Sequence, residues 1–160
     1  YLSTIKKKKK KDVPIKQAVS NETVWLDELK IEFLAPLQFY DTMNNNSVVV
    51  KLTYGDTSFL MMGDAEKEEE QDLINSGANL QADVIKIGHH GSKTSTTQEF
   101  LNAVQPDMAV ISVGPDKNEL PKSEVLQRLE ASNVKTYRTD SSGTVIFMSD
   151  GADITVATEQ

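Results

Sequence analysis

The residues of this chain best suited to chemistry are a carboxylate and two imidazoles, each placed just after an apolar run. Asp64 follows Ser58-Phe59-Leu60-Met61-Met62 in the word Gly63-Asp64-Ala65. The two histidines of the chain are adjacent, in Gly88-His89-His90-Gly91-Ser92, directly after Ala82-Asp83-Val84-Ile85-Lys86-Ile87. A carboxylate offers two oxygens and a full negative charge, so it can bridge two cations. Imidazole beside carboxylate suits zinc, manganese or iron. Asp64, His89 and His90 are therefore candidate metal ligands. Asp64 equally suits a helix N-cap, because an aspartate between strand and helix accepts backbone N–H groups. The two histidines equally suit a hydrogen-bonded pair closing a strand. On an extended backbone neighbouring side chains point to opposite faces, so one imidazole is expected to ligate and the other to support it or face substrate. Gly88 and Gly91 remove bulk on both sides.

Ser92-Lys93-Thr94-Ser95 follows at once, ahead of a predicted helix N-terminus. Hydroxyls, a lysine and free backbone N–H groups make Ser92, Lys93 and Thr94 candidate phosphate contacts, or else a capped loop. Asn44-Asn45-Asn46 offers an amide, with Asn46 the candidate substrate contact, or else a plain turn. Asp140-Ser141-Ser142-Gly143 reads as a hairpin turn. One carboxylate and two histidines do not complete a two-metal hydrolytic centre, which uses about six or seven ligands. No His-x-His-x-Asp-His word occurs in the chain. Taken alone, these residues are expected to bind metal weakly and to catalyse little.

The elements that must position these groups follow from the hydrophobic pattern. Thr23-Val24-Trp25-Leu26 and Leu29 to Leu34 flank Asp27-Glu28 as a hairpin, with Leu29, Ile31 and Phe33 alternating with Lys30 and Glu32. Ser47 to Tyr54, a Gly55-Asp56 turn and Thr57 to Met62 form a second hairpin. Its near-continuous apolar runs predict strands covered on both faces. Ala65 to Ile74 is predicted as a helix with an acidic outer face of Glu66, Glu68, Glu69 and Glu70. Val84 to Ile87 is a strand, and Thr96-Thr97-Gln98-Glu99 fits a capping box opening a helix to Val104. Met108 to Val113 is a buried strand, and Pro121 suits the first turn of a helix to Ala131. Val134 to Tyr137, Gly143 to Met148 and Ile154 to Val156 are strands. Strands followed by strand–helix repeats argue for an α/β sandwich with helices outside.

At 160 residues the chain reads as a single domain, 1–160, or a piece of one. Residues 1–11 read as an exposed Lys-rich helix end, and Val13-Pro14-Ile15 as a short extended segment. The net charge of −7 conceals an acidic body: without Lys6 to Lys11, eleven basic residues face 24 acidic ones, a net of −13. Such a body repels a phosphate backbone on average, so nucleic-acid contact needs metal ions or a local basic patch. The absence of cysteine excludes disulfides and thiolate metal sites. No apolar run reaches the roughly 18 residues of a membrane span. Tyr1-Leu2-Ser3 reads like the middle of a helix, so the natural N-terminus is expected elsewhere.

Several of these words occur together in a known family. Asn44-Asn45-Asn46-Ser47-Val48-Val49-Val50, Met62-Gly63-Asp64-Ala65-Glu66, Ala82 to Ser95 with its Gly-His-His-Gly-Ser core, and Ala109 to Gly114 resemble the metallo-β-lactamase-like domain of ComEC-type competence proteins. Tyr137-Arg138-Thr139-Asp140 and Gly143-Thr144-Val145 continue the match, which runs through nearly the whole chain. The resemblance implies a metallo-β-lactamase-like αββα sandwich, here its C-terminal portion, with divalent metal ions at strand ends between two sheets. It implies a metal-dependent hydrolase, a phosphodiesterase or nuclease linked to DNA uptake, using zinc or manganese and possessing two ions in the whole protein. By motif, the resemblance implies that Asp64 is the bridging ligand, that His89 or His90, with His90 preferred, is a ligand from the second half, so that Asp64 and His90 are the candidate catalytic pair, and that Ser92 and Thr94 line the phosphate side. The family also implies an extracytoplasmic setting, secreted or on the outer face of a membrane-anchored parent.

Two departures stand against the family pattern. The His-x-His-x-Asp-His motif lies upstream in the family and is absent here. Members often read Gly-His-Pro-Ser-Pro-Glu where this chain has Asn118-Glu119-Leu120-Pro121-Lys122-Ser123-Glu124, so Leu120 stands where a histidine would be. A hydrolase of a small phosphoester or ester, favoured by the acidic body, and a non-catalytic binding module with a degenerate metal site are the other functions considered. A sandwich lacking its opening strands exposes a sheet edge and an apolar face, so the missing half of the fold or a second copy is expected to cover them.

Overall fold

A computed structural model describes residues 16–114 and 119–159. The expected Lys-rich helix end at 1–11 and the extended segment at 13–15 lie outside the described residues. Seven strands form one mixed sheet in sequence order: β1 (Thr23–Leu26), β2 (Leu29–Ala35), β3 (Val49–Tyr54), β4 (Thr57–Met61), β5 (Val84–Lys86), β6 (Met108–Ile111) and β7 (Lys135–Arg138). The first four are antiparallel, as hairpins require, and β4 to β7 run parallel. The parallel connections are helical: α1 (Lys67–Asn75), α2 (Gln98–Val104) and α3 (Ser123–Ala131). A short α4 (Thr139–Ser142) leads from β7 into a separate hairpin of β8 (Thr144–Ser149) and β9 (Ile154–Glu159).

The core lies between the three long helices and one face of the large sheet. Leu60, Ile85, Ile87, Ala109 and Ile111 meet Leu73, Phe100, Val104, Val125 and Leu129, all of them essentially inaccessible. Each such aliphatic or aromatic side chain contributes about 1.5–3 kcal/mol relative to an exposed one.

The opposite face carries Leu52, Tyr54, Phe59, Met61, Val84 and Val110 and is only partly covered, so the apolar runs of β3 and β4 are not buried on both sides. The β8–β9 hairpin roofs part of it. Phe147 stands edge-on to Phe59 at 6.4 Å and to Tyr137 at 5.6 Å, and Asp56 N–H donates to the Gly151 carbonyl at 2.7 Å. A groove of about 540 Å³ remains between hairpin and sheet. Among the described residues one edge of this sheet is β1, whose four residues are all exposed, Trp25 by 62% and Leu26 by 63%.

Four local expectations change. Glu69 and Glu70, expected on an outer acidic face, are buried at 0% and 1% exposure. The cap of α2 is Thr97, whose hydroxyl accepts from Phe100 N–H, because Thr96 has a left-handed φ of 56°. The third long helix starts at Ser123, after Pro121 rather than through it. Asp140 to Ser142 belong to a helical turn between two sheets, not to a hairpin.

Candidate metal centre

In a parallel α/β sheet the carboxyl ends of the strands open onto one rim. The exits of β4, β5, β6 and β7 deliver Gly63-Asp64, Gly88 to Gly91, Ser112 to Gly114 and Thr139-Asp140 to that rim. The first two loops are joined directly, since His89 N–H donates to the Gly63 carbonyl at 3.2 Å.

Asp64 is not the helix cap. Glu66 occupies the N-cap position of α1, leaving the Asp64 carboxylate free, while Asp64 N–H donates to Ser47 Oγ at 2.9 Å. Nor are the histidines extended. Strand β5 ends at Lys86, and His89 (φ 45°, ψ 44°) and His90 (φ 54°, ψ 24°) both adopt left-handed backbone. That conformation costs about 1–2 kcal/mol per residue bearing a Cβ. Close packing on both sides holds it: a Cβ on Gly88 would lie 2.7 Å from the Ala65 carbonyl oxygen, and one on Gly91 2.5 Å from Pro121 Cβ. The two imidazole rings approach different carboxylates. Their centroids are 6.5 Å apart at 63°, with His90 turned to Asp64 and His89 to Glu66.

Hydrogen bonding fixes the tautomers. His90 Nδ1 lies 2.6 Å from the Ser112 carbonyl oxygen, which only accepts, so Nδ1 carries the hydrogen. Nε2 of the neutral ring then presents its lone pair, 3.7 Å from Asp64 Oδ1, both side chains being 45% exposed. Two electron-rich atoms facing each other at the solvent edge form a seat for a proton or a cation. His89 Nδ1 lies 3.0 Å from Glu66 Oε1 and 3.5 Å from Asn44 Nδ2. A carboxylate partner on Nδ1 leaves Nε2 as the donor atom, the arrangement that orients metal-binding histidines.

Glu66 and Lys86 are neighbours of these loops that sequence reasoning missed. Glu66 Oε1 also accepts from Thr94 Oγ1 at 2.5 Å, and Glu66 N–H donates to Asn45 Oδ1 at 2.9 Å. Lys86 Nζ donates to the carbonyls of Gly63 at 3.3 Å and Ile87 at 3.1 Å, tying the acid loop to the histidine loop. Burial pushes its amine below the ordinary lysine range, and the Asp64 charge acts in the opposite sense.

The other candidates are placed as follows. Asn46 holds its own loop, donating to the Tyr40 carbonyl at 2.7 Å and the Thr42 carbonyl at 2.7 Å and accepting from Tyr40 N–H at 3.0 Å. Asn44, not Asn46, approaches the imidazoles. The Ser92 and Thr94 hydroxyls lie 3.0 Å apart, Thr94 Oγ1 donates to Glu66, and Lys93 is exposed. The amides of Thr96 and Thr97 before α2 are already answered by the Glu70 carboxylate. Leu120 packs against the core, and Lys122 N–H donates to the Gly91 carbonyl at 2.9 Å, so this segment buttresses the histidine loop without offering it a donor atom.

Among the described residues no three His, Cys, Asp or Glu side chains stand close enough together to hold an ion. The donor set is an Asp64–His90 pair flanked by a His89–Glu66 pair. Oxygen and imidazole nitrogen at this spacing suit a divalent cation but fall short of a closed tetrahedral shell. If His89 takes part, Glu66→Gln weakens zinc binding about 10-fold or more. Calorimetry of the variant with zinc measures this, and an unchanged affinity would place His89 outside the site.

The Metallo-beta-lactamase superfamily profile matches residues 6–114. ComE operon protein 3 of Bacillus subtilis is 38% identical over 150 residues, covering 86% of this chain and 19% of that protein. Competence protein ComA of Neisseria gonorrhoeae is 37% identical over 76% of this chain and 18% of its own length. Recombination protein 2 of Haemophilus influenzae is 38% identical over 64% of this chain and 13% of its own length. The chain thus spans less than a fifth of these relatives. Among solved structures, the CmlA beta-hydroxylase E377D mutant superposes with a TM-score of 0.54 at 12% identity, over 74% of this chain and 31% of that one, a likeness of fold alone. The chain belongs to the metallo-beta-lactamase superfamily, as a domain of the ComEC type.

Proposed function

We propose that this domain supplies one half of the site of a metal-dependent phosphodiesterase that cleaves DNA during uptake. The observation that carries this is the Asp64 Oδ1–His90 Nε2 approach of 3.7 Å, with His90 Nδ1 committed to the Ser112 carbonyl on the other side of the ring. Asp64 and His90 would hold the cation with His89 beside them; zinc or manganese, one ion or two, would supply Lewis-acid charge and an acidified water. The chain's own groups set the stage for that chemistry. The Ser112 carbonyl keeps the His90 lone pair outward, Glu66 orients His89, and Lys86 holds the two loops in register. Lys93 and Lys122 both act on Glu124 and bring positive charge to the segment beside the histidine loop, where a phosphate would approach an otherwise acidic body.

The half-covered sheet face and the exposed β1 edge support a second layer in the working protein, contributed by further chain or by a second copy. The described residues include no helix long and apolar enough to cross a membrane. The competence names of the relatives support an extracytoplasmic setting facing incoming DNA.

Two other functions have observations in their favour. The acidic body favours a small phosphoester or ester substrate over a long polyanion. The two-donor pair and the apolar Leu120 favour a binding module without catalysis. One experiment separates the three: cleavage of a single-stranded oligonucleotide and of bis(4-nitrophenyl) phosphate, with and without manganese. Cation-dependent cleavage of the oligonucleotide supports the proposal. Cleavage of the small ester alone moves the site to small substrates, and cleavage of neither leaves a binding module.

A further inference from the structure

We propose that the buried, unpartnered carboxyl of Glu69 is a positioning residue of this site, acting through the Asn44–Ser47 turn. This rests on the assignment of the Asp64–His90 rim as the functional site. Glu69 lies on α1 at 0% exposure, and neither of its carboxyl oxygens has a hydrogen-bond partner. The turn formed by Asn44–Asn46 and Ser47 reaches it through the Ser47 N–H, the one backbone group favouring its ionised form. That amide already donates to the Asn44 carbonyl at 3.1 Å. The charges acting on Glu69 are Asp72 and Glu70 on its own helix, both acidic, and the Tyr40 phenol of the preceding loop feels Glu69 as a further like charge. Burial foremost pushes the Glu69 carboxyl up to about 8. An unpaired carboxylate in such a place costs several kcal/mol, so the group stays protonated instead.

The same turn holds two parts of the rim. Ser47 Oγ receives Asp64 N–H and Asn45 Oδ1 receives Glu66 N–H. Charging Glu69 therefore forces its side chain to find water or donors, and the Ser47 amide of this turn is the backbone group that favours the charged form. The sign follows from linkage. The packed arrangement holds a proton that the open one releases, because the packed value of about 8 exceeds the ordinary 4.5. The stabilisation is complete below the ordinary value, falls by up to about tenfold in equilibrium constant per pH unit above it, and is lost once pH passes the packed value.

The test is an NMR titration of the Glu69 side-chain carboxyl carbon together with the backbone amides of Asp64 and Glu66, without metal or substrate. The expected midpoint is about 8 for all three signals, with the amides of Glu69→Gln flat across that range in the positions wild type shows at lower pH. A Glu69 midpoint in the ordinary carboxylate range overturns the proposal. So do Asp64 and Glu66 amides that ignore the Glu69 transition. The wild-type titration decides the matter even if Glu69→Gln fails to fold. Because no cleavage is read, a failed hydrolase assignment and a failed role for Glu69 give different results.

Discussion

Asp64→Asn is expected to lower cation-dependent cleavage by more than about 100-fold, beyond the 10- to 100-fold typical of residues that only support a metal ligand. The fold should survive the change. The Asp64 side chain is 45% exposed, and the bond that anchors this turn comes from its backbone N–H to Ser47 Oγ, which asparagine keeps. A shift in stability within about 0.5 kcal/mol is expected for such a surface position. Asparagine retains one carboxamide oxygen but removes the charge that draws a cation toward His90, so zinc affinity and cleavage should fall together. Parallel calorimetry, cleavage assays and thermal melts measure all three. A variant that cleaves as wild type does would remove Asp64 from the chemistry.

Glu70→Ala is expected to cost about 3 kcal/mol or more of folding stability, since each buried donor left unpaired costs about 1–3 kcal/mol. At 1% exposure the Glu70 carboxylate accepts from Thr96 N–H at 2.5 Å, Thr97 N–H at 2.9 Å and Thr97 Oγ1 at 2.8 Å. Burial raises its carboxyl above the ordinary range, while these donors and the charge of Arg128 oppose that rise. Arg128 in turn donates to the carbonyls of Ser95 and Thr96. Truncation leaves two amides and a hydroxyl unpaired and strips Arg128 of a nearby counter-charge. The same segment continues from Thr94, which holds Glu66, so the imidazole rim should loosen as well. Urea denaturation measures the loss, and a cost below about 1 kcal/mol would mean that water replaces the carboxylate.

The alternation of strand and helix was readable because the apolar runs are bounded by Gly63, Gly88 and Gly114, and parallel strands then deliver their exits to one rim. Asp64 and His90 were legible for that reason. The acidic run was not. Glu66, Glu69, Glu70 and Leu73 follow the i, i+3, i+4, i+7 spacing of a single helix face, and Leu73 is fully buried. That stripe was the signal that two carboxyls go inward, but composition alone marks a run of acids as a solvated face. The histidine backbone was illegible for a different reason. Left-handed φ at two consecutive non-glycine residues is imposed by contacts with Ala65, Gly63 and Pro121, none of which is local in sequence. The Asn44–Asn46 turn misled by geometry: a 3₁₀ turn rotates about 120° per residue, so three adjacent amides take three directions. Asn44 points toward His89, Asn45 toward Glu66 and Glu68, and Asn46 back to its own loop.

The convergence of Asp64 and His90 on one cation is most directly tested by following the ring nitrogens during a zinc titration. With only two histidines in the chain, both Nε2 signals can be assigned. The predicted result is a zinc-dependent shift of His90 Nε2 that disappears in Asp64→Asn. A His90 Nε2 signal unmoved by zinc in the wild-type protein, or one that moves equally in the variant, would contradict it.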